Sequence, residues 1–213
     1  MPHWLDFFNY TMFVDRDGKF QLGMLSTSAF KPLAASMGPM LKEESFHLGT
    51  GSNGLRRIIK AGVIPLDMLQ RYMNKWVATA HDLFGTDSST SAHWAYVWGV
   101  KGRWDERKKL EGGVDVDKEV LNEESRGHYH DEIVREVEKL NGYLPEGCGV
   151  KLYVPHENFH RDIGAFGGKK CYTNGDLFEG TDEEYAEYLR TVLPTPEDEE
   201  ALKELFKQQW IQD

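Results

Sequence analysis

Two helical faces in this chain carry acidic groups where apolar residues are expected. The run Trp4, Leu5, Phe7, Phe8, Tyr10, Met12, Phe13 is too apolar for a surface strip. Asp15 falls on the line Phe8, Thr11, Asp15, Leu22, which at helical spacing is one inward face. Glu44 and His47 sit likewise among Met37, Met40, Leu41 and Leu48. A carboxylate without a partner in such surroundings costs several kcal/mol or takes up a proton, so each position demands a partner. The midpoint between Asp15 and Glu44 lies near Ala29 and Phe30, just before Pro32. A helical hairpin turning there sets Asp15 level with Glu44.

Glu44 and His47 are three residues apart and therefore neighbours on a helix. Side by side they can make an ordinary hydrogen bond or hold one metal ion, and Glu43, four residues before His47, is an alternative partner. With Asp15 on a facing helix the set is a lone carboxylate plus Glu-x-x-His, which helical bundles use twice over to hold two metal ions. It occurs here once. A second set fails on spacing: three before His128 is Ser125, and three before His130 is Gly127. Glu124 with His128 reads as a solvated face, His156 and His160 as surface hydrogen-bonding groups, and Asp82 as a structural helix-end acid. Ser89, Ser91 and His93 lack the G-x-S-x-G elbow of a nucleophile.

The remaining pattern is mainly helical. Helix one spans Trp4 to Phe20 and can run on to Leu25. A second begins after Ser26–Ser28, is kinked by Pro39 and stops at Gly49-Thr50-Gly51-Ser52-Asn53-Gly54. That loop has the letters of a dinucleotide fingerprint, but no βαβ unit surrounds it. Further helices start at Pro65 or Asp67 and after Ser88–Ser91, and a long amphipathic one passes from Val120 to Leu140, closed by Asn141-Gly142. From Leu144 the texture changes: Val150–Val154 alternates like a strand, Thr173-Asn174-Gly175-Asp176 is a hairpin turn, and helices follow from Thr181 and Pro196. The expected architecture is a helical bundle over residues 1–143 with a small α+β extension over 144–213.

A formal net charge of −10 argues against a general nucleic-acid binder. Arg56, Arg57 and Lys60, with Lys101, Arg103, Arg107, Lys108 and Lys109, are the basic clusters; they suit the phosphates of a coenzyme A thioester or form a solvated face. Cys148 and Cys171 have no metal spacing and read as free thiols of a reducing cytoplasm. No run of about 18 apolar residues is present to span a membrane, and the first residues lack a signal-peptide pattern. The expected location is cytoplasmic. The aromatics near Trp4 call for something to cover them.

Five segments carry a resemblance: Trp4-Leu5-Asp6-Phe7-Phe8, Asp15 to Leu22, Leu41 to His47, Asp82-Leu83-Phe84-Gly85, and Ile163-Gly164-Ala165-Phe166-Gly167-Gly168. In the same order they resemble the oxygenase subunits of the benzoyl-CoA 2,3-epoxidase family, over the later part of the family protein, and more distantly the phenylacetyl-CoA epoxidase catalytic subunits and other ferritin-like di-iron oxygenases. The resemblance implies a partial ferritin-like bundle lacking its first helix pair. It implies that Asp15, Glu44 and His47 ligate iron (Fe2+) as half of a di-iron centre, which a companion chain or a second copy would complete. It further implies an aryl-CoA substrate, O2, a separate reductase, and insertion of one oxygen atom into the aromatic ring to give an epoxide. A truncated, non-catalytic domain that binds a partner chain or a CoA ligand is the alternative.

Overall fold

The computed structural model describes residues 3–114, 117 and 119–207. Within them the helices are α1 (Trp4–Leu25), α2 (Lys31–Ala61), α3 (Leu66–Leu83), α4 (Thr90–Val97), α5 (Glu106–Glu111), α6 (Asn122–Asn141), α7 (Asp182–Val192) and α8 (Pro196–Leu205). The mainly helical, ferritin-like reading holds, and α1 runs to Leu25.

At the centre α1 packs against α2, α3 and α6, and α7 packs on α3. The buried residues of α1 therefore take in polar as well as apolar positions, among them Leu5, Asn9, Met12, Phe13, Arg16, Asp17, Phe20 and Met24. Phe13 and Phe20 join Met73, Val77, Tyr129, Ile133 and Val137 in one core cluster. Buried Arg16 is matched across that contact by Glu132 of α6, at 2.6 Å. The start of α6 is capped from the α3–α4 link: Asp87 accepts hydrogen bonds from the backbone N–H groups of Leu121, Asn122 and Glu123.

The expected stop at Gly49–Gly54 is not there, because α2 runs through it to Ala61 and ends on Gly62 at φ +65°. The glycines serve close packing. A Cβ at Gly51 would lie 2.5 Å from the Met12 nitrogen, and one at Gly54 would overlap the Phe8 ring. Each glycine inside a helix costs up to about 1 kcal/mol relative to alanine, which the close approach of α1 to α2 offsets. Pro39 also lies within α2. It and Ala35, the residue whose carbonyl it leaves unbonded, are exposed, so water can take that acceptor.

The β content of the extension is smaller than expected. Among the described residues the β pairing is one isolated bridge, Cys171 to Leu177, around the turn at Asn174-Gly175. Residues 150–154 are not a strand; side-chain amides of α6 and α3 bind their backbone, Asn141 bonding Leu152 and Gln70 bonding Tyr153. Capping boxes at Thr181 and Thr195 start α7 and α8. Asp198 of the second also pairs with Arg71 of α3 at 2.6 Å, and Leu152 and Leu202 enter the common core.

Candidate metal centre

Asp15, Glu44 and His47 converge where α1 and α2 run antiparallel. Each offers a ligand atom within 4.8 Å of the other two. His47 Nδ1 lies 3.6 Å from Glu44 Oε2 and 3.9 Å from Asp15 Oδ2. The register differs from the expected one by about a turn: Gly18 lies opposite Glu44, Met12 opposite Gly51 and Phe8 opposite Gly54. Asp15 is thus level with His47, and the longer Glu44 side chain reaches back along α1 to meet them. Glu43 is exposed and is not part of the group.

Burial acts on both carboxylates of the group. Burial raises the Asp15 pKa, and His47 opposes the rise. Burial likewise raises that of Glu44, and the Asp15 charge adds to it. Glu44 Oε2 is buried without a hydrogen-bond partner; His47 Nδ1, at 3.6 Å, is beyond hydrogen-bond reach. A buried carboxylate oxygen left unbonded beside a second carboxylate and an imidazole fits a metal ion better than a structural polar contact. On the same face of α2 Met37 is buried and Leu41 and Leu48 are half-buried, whereas the His47 side chain is 54% exposed.

Asp105, Glu124 and His128 also bring ligand atoms within 4.8 Å of one another, although no spacing links Asp105 to the other two. Here the positive charge is already in place. Arg103 lies 3.0 Å from Asp105 and 2.8 Å from Glu124, and Lys109 lies 2.9 Å from Asp105. This is a salt-bridge cluster.

Other candidates resolve into structural roles. Asp82 binds the Arg161 guanidinium and the backbone N–H of Asp162. Ser89 caps α4. His156 Nδ1 accepts from the Asn158 N–H. Lys101 is held by Gln21 and Asn122, and Arg103 and Lys109 are committed to Asp105, so the expected phosphate cluster is largely taken up internally. The side chain of Arg107 lies outside the described residues. Arg56 and Lys60 stack on Tyr143. Both cysteines are free. Buried His81 and half-buried His130 are joined at 3.2 Å, a pairing that no spacing in the sequence shows because it links α3 to α6.

Residues 1–164 match the sequence model of the family described as phenylacetic acid catabolic protein. The chain belongs to this family. The matched stretch holds all three residues of the α1–α2 group and ends in the loop that Asp82 anchors. The chain is also 34% identical to benzoyl-CoA oxygenase component B of Aromatoleum evansii, in an alignment covering 92% of this chain and 50% of that protein. It thus spans about half the length of the curated relative it matches. No helix among the described residues is long and apolar enough to cross a membrane.

Proposed function

We propose that this phenylacetic acid catabolic family member supplies one half of the metal centre of a non-haem di-iron oxygenase, which inserts one atom of O2 into the aromatic ring of benzoyl-CoA or a related aryl-CoA thioester. The convergence of Asp15, Glu44 and His47 on an unbonded Glu44 oxygen carries the reading. The name of the Aromatoleum evansii relative supports the substrate class, and the word component in it supports the existence of partner components, among which a separate reductase would supply electrons.

Two carboxylates and an imidazole form a donor set that suits iron. Asp15 and Glu44 would supply the anionic oxygens and His47 a neutral nitrogen. Iron, when bound there, supplies the activation of O2. The chain's own part is to hold the ligands in place and leave the exposed His47 side open.

Three donors are half of the about six that such a centre uses, a lone carboxylate and a Glu-x-x-His from each helix pair. The rest would come from a second helix pair seated against α1 and α2, where Trp4 and Met40 are 61% and 44% exposed. A further segment of a longer polypeptide, a companion chain or a second copy across a two-fold axis are the sources to distinguish.

The test is anaerobic purification with ferrous iron, followed by iron per chain and oligomeric mass, with Glu44→Ala as control. About one iron per chain in a dimer, lost in the variant, supports completion by a second copy. Iron retained only with a companion chain present supports a split centre. Iron absent in every assembly overturns the reading and leaves a non-catalytic binding domain.

A further inference from the structure

We propose that Gly18 is a positioning residue for this centre: its missing side chain is the clearance in which the Glu44 carboxylate lies. The inference rests on the metal reading above.

Gly18 sits inside α1 with no positive φ, so its backbone conformation does not require glycine. An interior helical glycine is unfavourable relative to alanine, and some contact has to account for it. A Cβ built at Gly18 meets Glu44 alone, 3.2 Å from Oε1, 3.5 Å from Cδ and 3.9 Å from Oε2. The other glycines of this helix pair behave differently. Gly51 faces the α1 backbone and Gly54 the Phe8 ring, so they set the separation of the helices; a Cβ at Gly23 makes only ordinary contact, 3.6 Å from the Trp104 Cβ. Gly18 is the one whose neighbour is the candidate ligand itself.

The consequence follows from comparing two tolerances. A Cβ 3.2 Å from Oε1 obliges the neighbour to move by a few tenths of an ångström. Metal–ligand distances hold to within about 0.2 Å. Glu44 is the group that moves, since it is the end of a flexible side chain and its Oε2 has no hydrogen bond to restrain it. Alanine at position 18 therefore leaves the fold intact and displaces the ligand.

The experiment compares wild type, Gly18→Ala and Gly51→Ala in whichever assembly the wild type holds iron. Thermal unfolding of the metal-free proteins is measured beside anaerobic titration with Fe2+, and with Mn2+ followed by loss of the free-ion magnetic resonance signal. For Gly18→Ala, the midpoint of metal-free unfolding is expected to rise by about 2–4 °C, while affinity for either ion falls by about tenfold to a hundredfold. Gly51→Ala, with a Cβ against backbone, is expected to lower the midpoint. Unchanged metal affinity in Gly18→Ala overturns the proposal, and so does a fall in its metal-free midpoint, which would make Gly18 a packing glycine. A wild type that takes up neither ion overturns the metal reading itself, an outcome separate from both.

Discussion

Gln70 binds Tyr153 as a neighbouring strand would: its Nε2 donates to the Tyr153 carbonyl at 2.8 Å and its Oε1 accepts from the Tyr153 N–H at 2.9 Å. Asn141 does the same for Leu152, at 2.8 Å in each direction. The two amides thus grip the backbone of consecutive residues. Gln70 is buried, and its Nε2 also donates to Asn74.

Gln70→Leu removes both hydrogen bonds to the Tyr153 backbone, and is expected to cost about 1–3 kcal/mol at roughly 0.5–1.5 kcal/mol per bond. Gln70→Glu keeps the acceptor, loses the donor and is expected to fall between the two. Urea unfolding gives the magnitude. Limited proteolysis locates the effect, with earlier cleavage in 144–160 than in α1–α3; equal susceptibility throughout would mean that the amide grip does not hold the extension.

The alternation of Val150 to Val154 predicts a strand that the structure does not form, whereas Asn174-Gly175 does make its turn; nothing local to 150–154 shows that helix amides, distant in sequence, bind that backbone. The α2 glycines were misread for a related reason. Gly49 to Gly54 resembles a helix stop until α1 is laid against it, when Gly51 and Gly54 become the positions at which two backbones and an aromatic ring approach. The grouping of Asp15, Glu44 and His47 was legible because its signal is local: Glu44 and His47 share one helix face, and Asp15 interrupts an apolar one. Its register was off by a turn because the link at 26–30 is fixed by a long-range bond from the Ala29 N–H to the Gly99 carbonyl, which no hairpin midpoint anticipates.

The His81–His130 pair gives the fold an acid-sensitive contact. His81 is fully buried; burial lowers its pKa well below the usual 6.5, and the charges of His130, Arg161 and Arg126 add to the effect. Burial also lowers that of His130, opposed by Glu157. With folded pKa values below 6.5, the unfolded chain binds the extra protons, so stability is full above pH 6.5 and is lost as pH falls below it. Wild-type unfolding free energy is expected to drop between pH 7 and pH 5 more steeply than that of His81→Phe, whatever the offset between the two proteins. Parallel pH profiles would mean that the pair does not titrate on unfolding.

Asp17 acts with the opposite sign. Burial raises its pKa from 3.8 to about 7, against the Gln21 hydrogen bond and the Lys101 charge. A raised folded pKa means a stabilising contribution that is present at low pH and lost as pH rises from 3.8 through about 7. Asp17→Asn is expected to match metal-free wild type near pH 4 and to exceed it by about 2–4 kcal/mol at pH 8. Thermal unfolding at the two values decides it, and a variant less stable than wild type at pH 8 would show that the ionised carboxylate is wanted where it stands.

Glu44→Gln separates a ligand from a structural acid by the sign of its effect. In the metal-free protein Glu44 is costly: burial and the nearby Asp15 carboxylate both disfavour its charge, against a smaller opposing effect of His47, and Oε2 has no partner within 3.5 Å. Glutamine keeps the shape, removes the charge and offers an N–H toward Asp15, so metal-free stability is expected to rise by about 1 kcal/mol. Metal reverses the order. An ion that binds only the folded state stabilises wild type by about 2.7 kcal/mol at a hundredfold excess over Kd, and the variant, with one carboxylate fewer, is expected to gain little. Unfolding midpoints with and without Fe2+ or Mn2+ should therefore cross, the variant being more stable without metal and less stable with it. A variant weakened in both conditions would assign Glu44 to the fold, and one that keeps the full metal-induced shift would remove it from the centre.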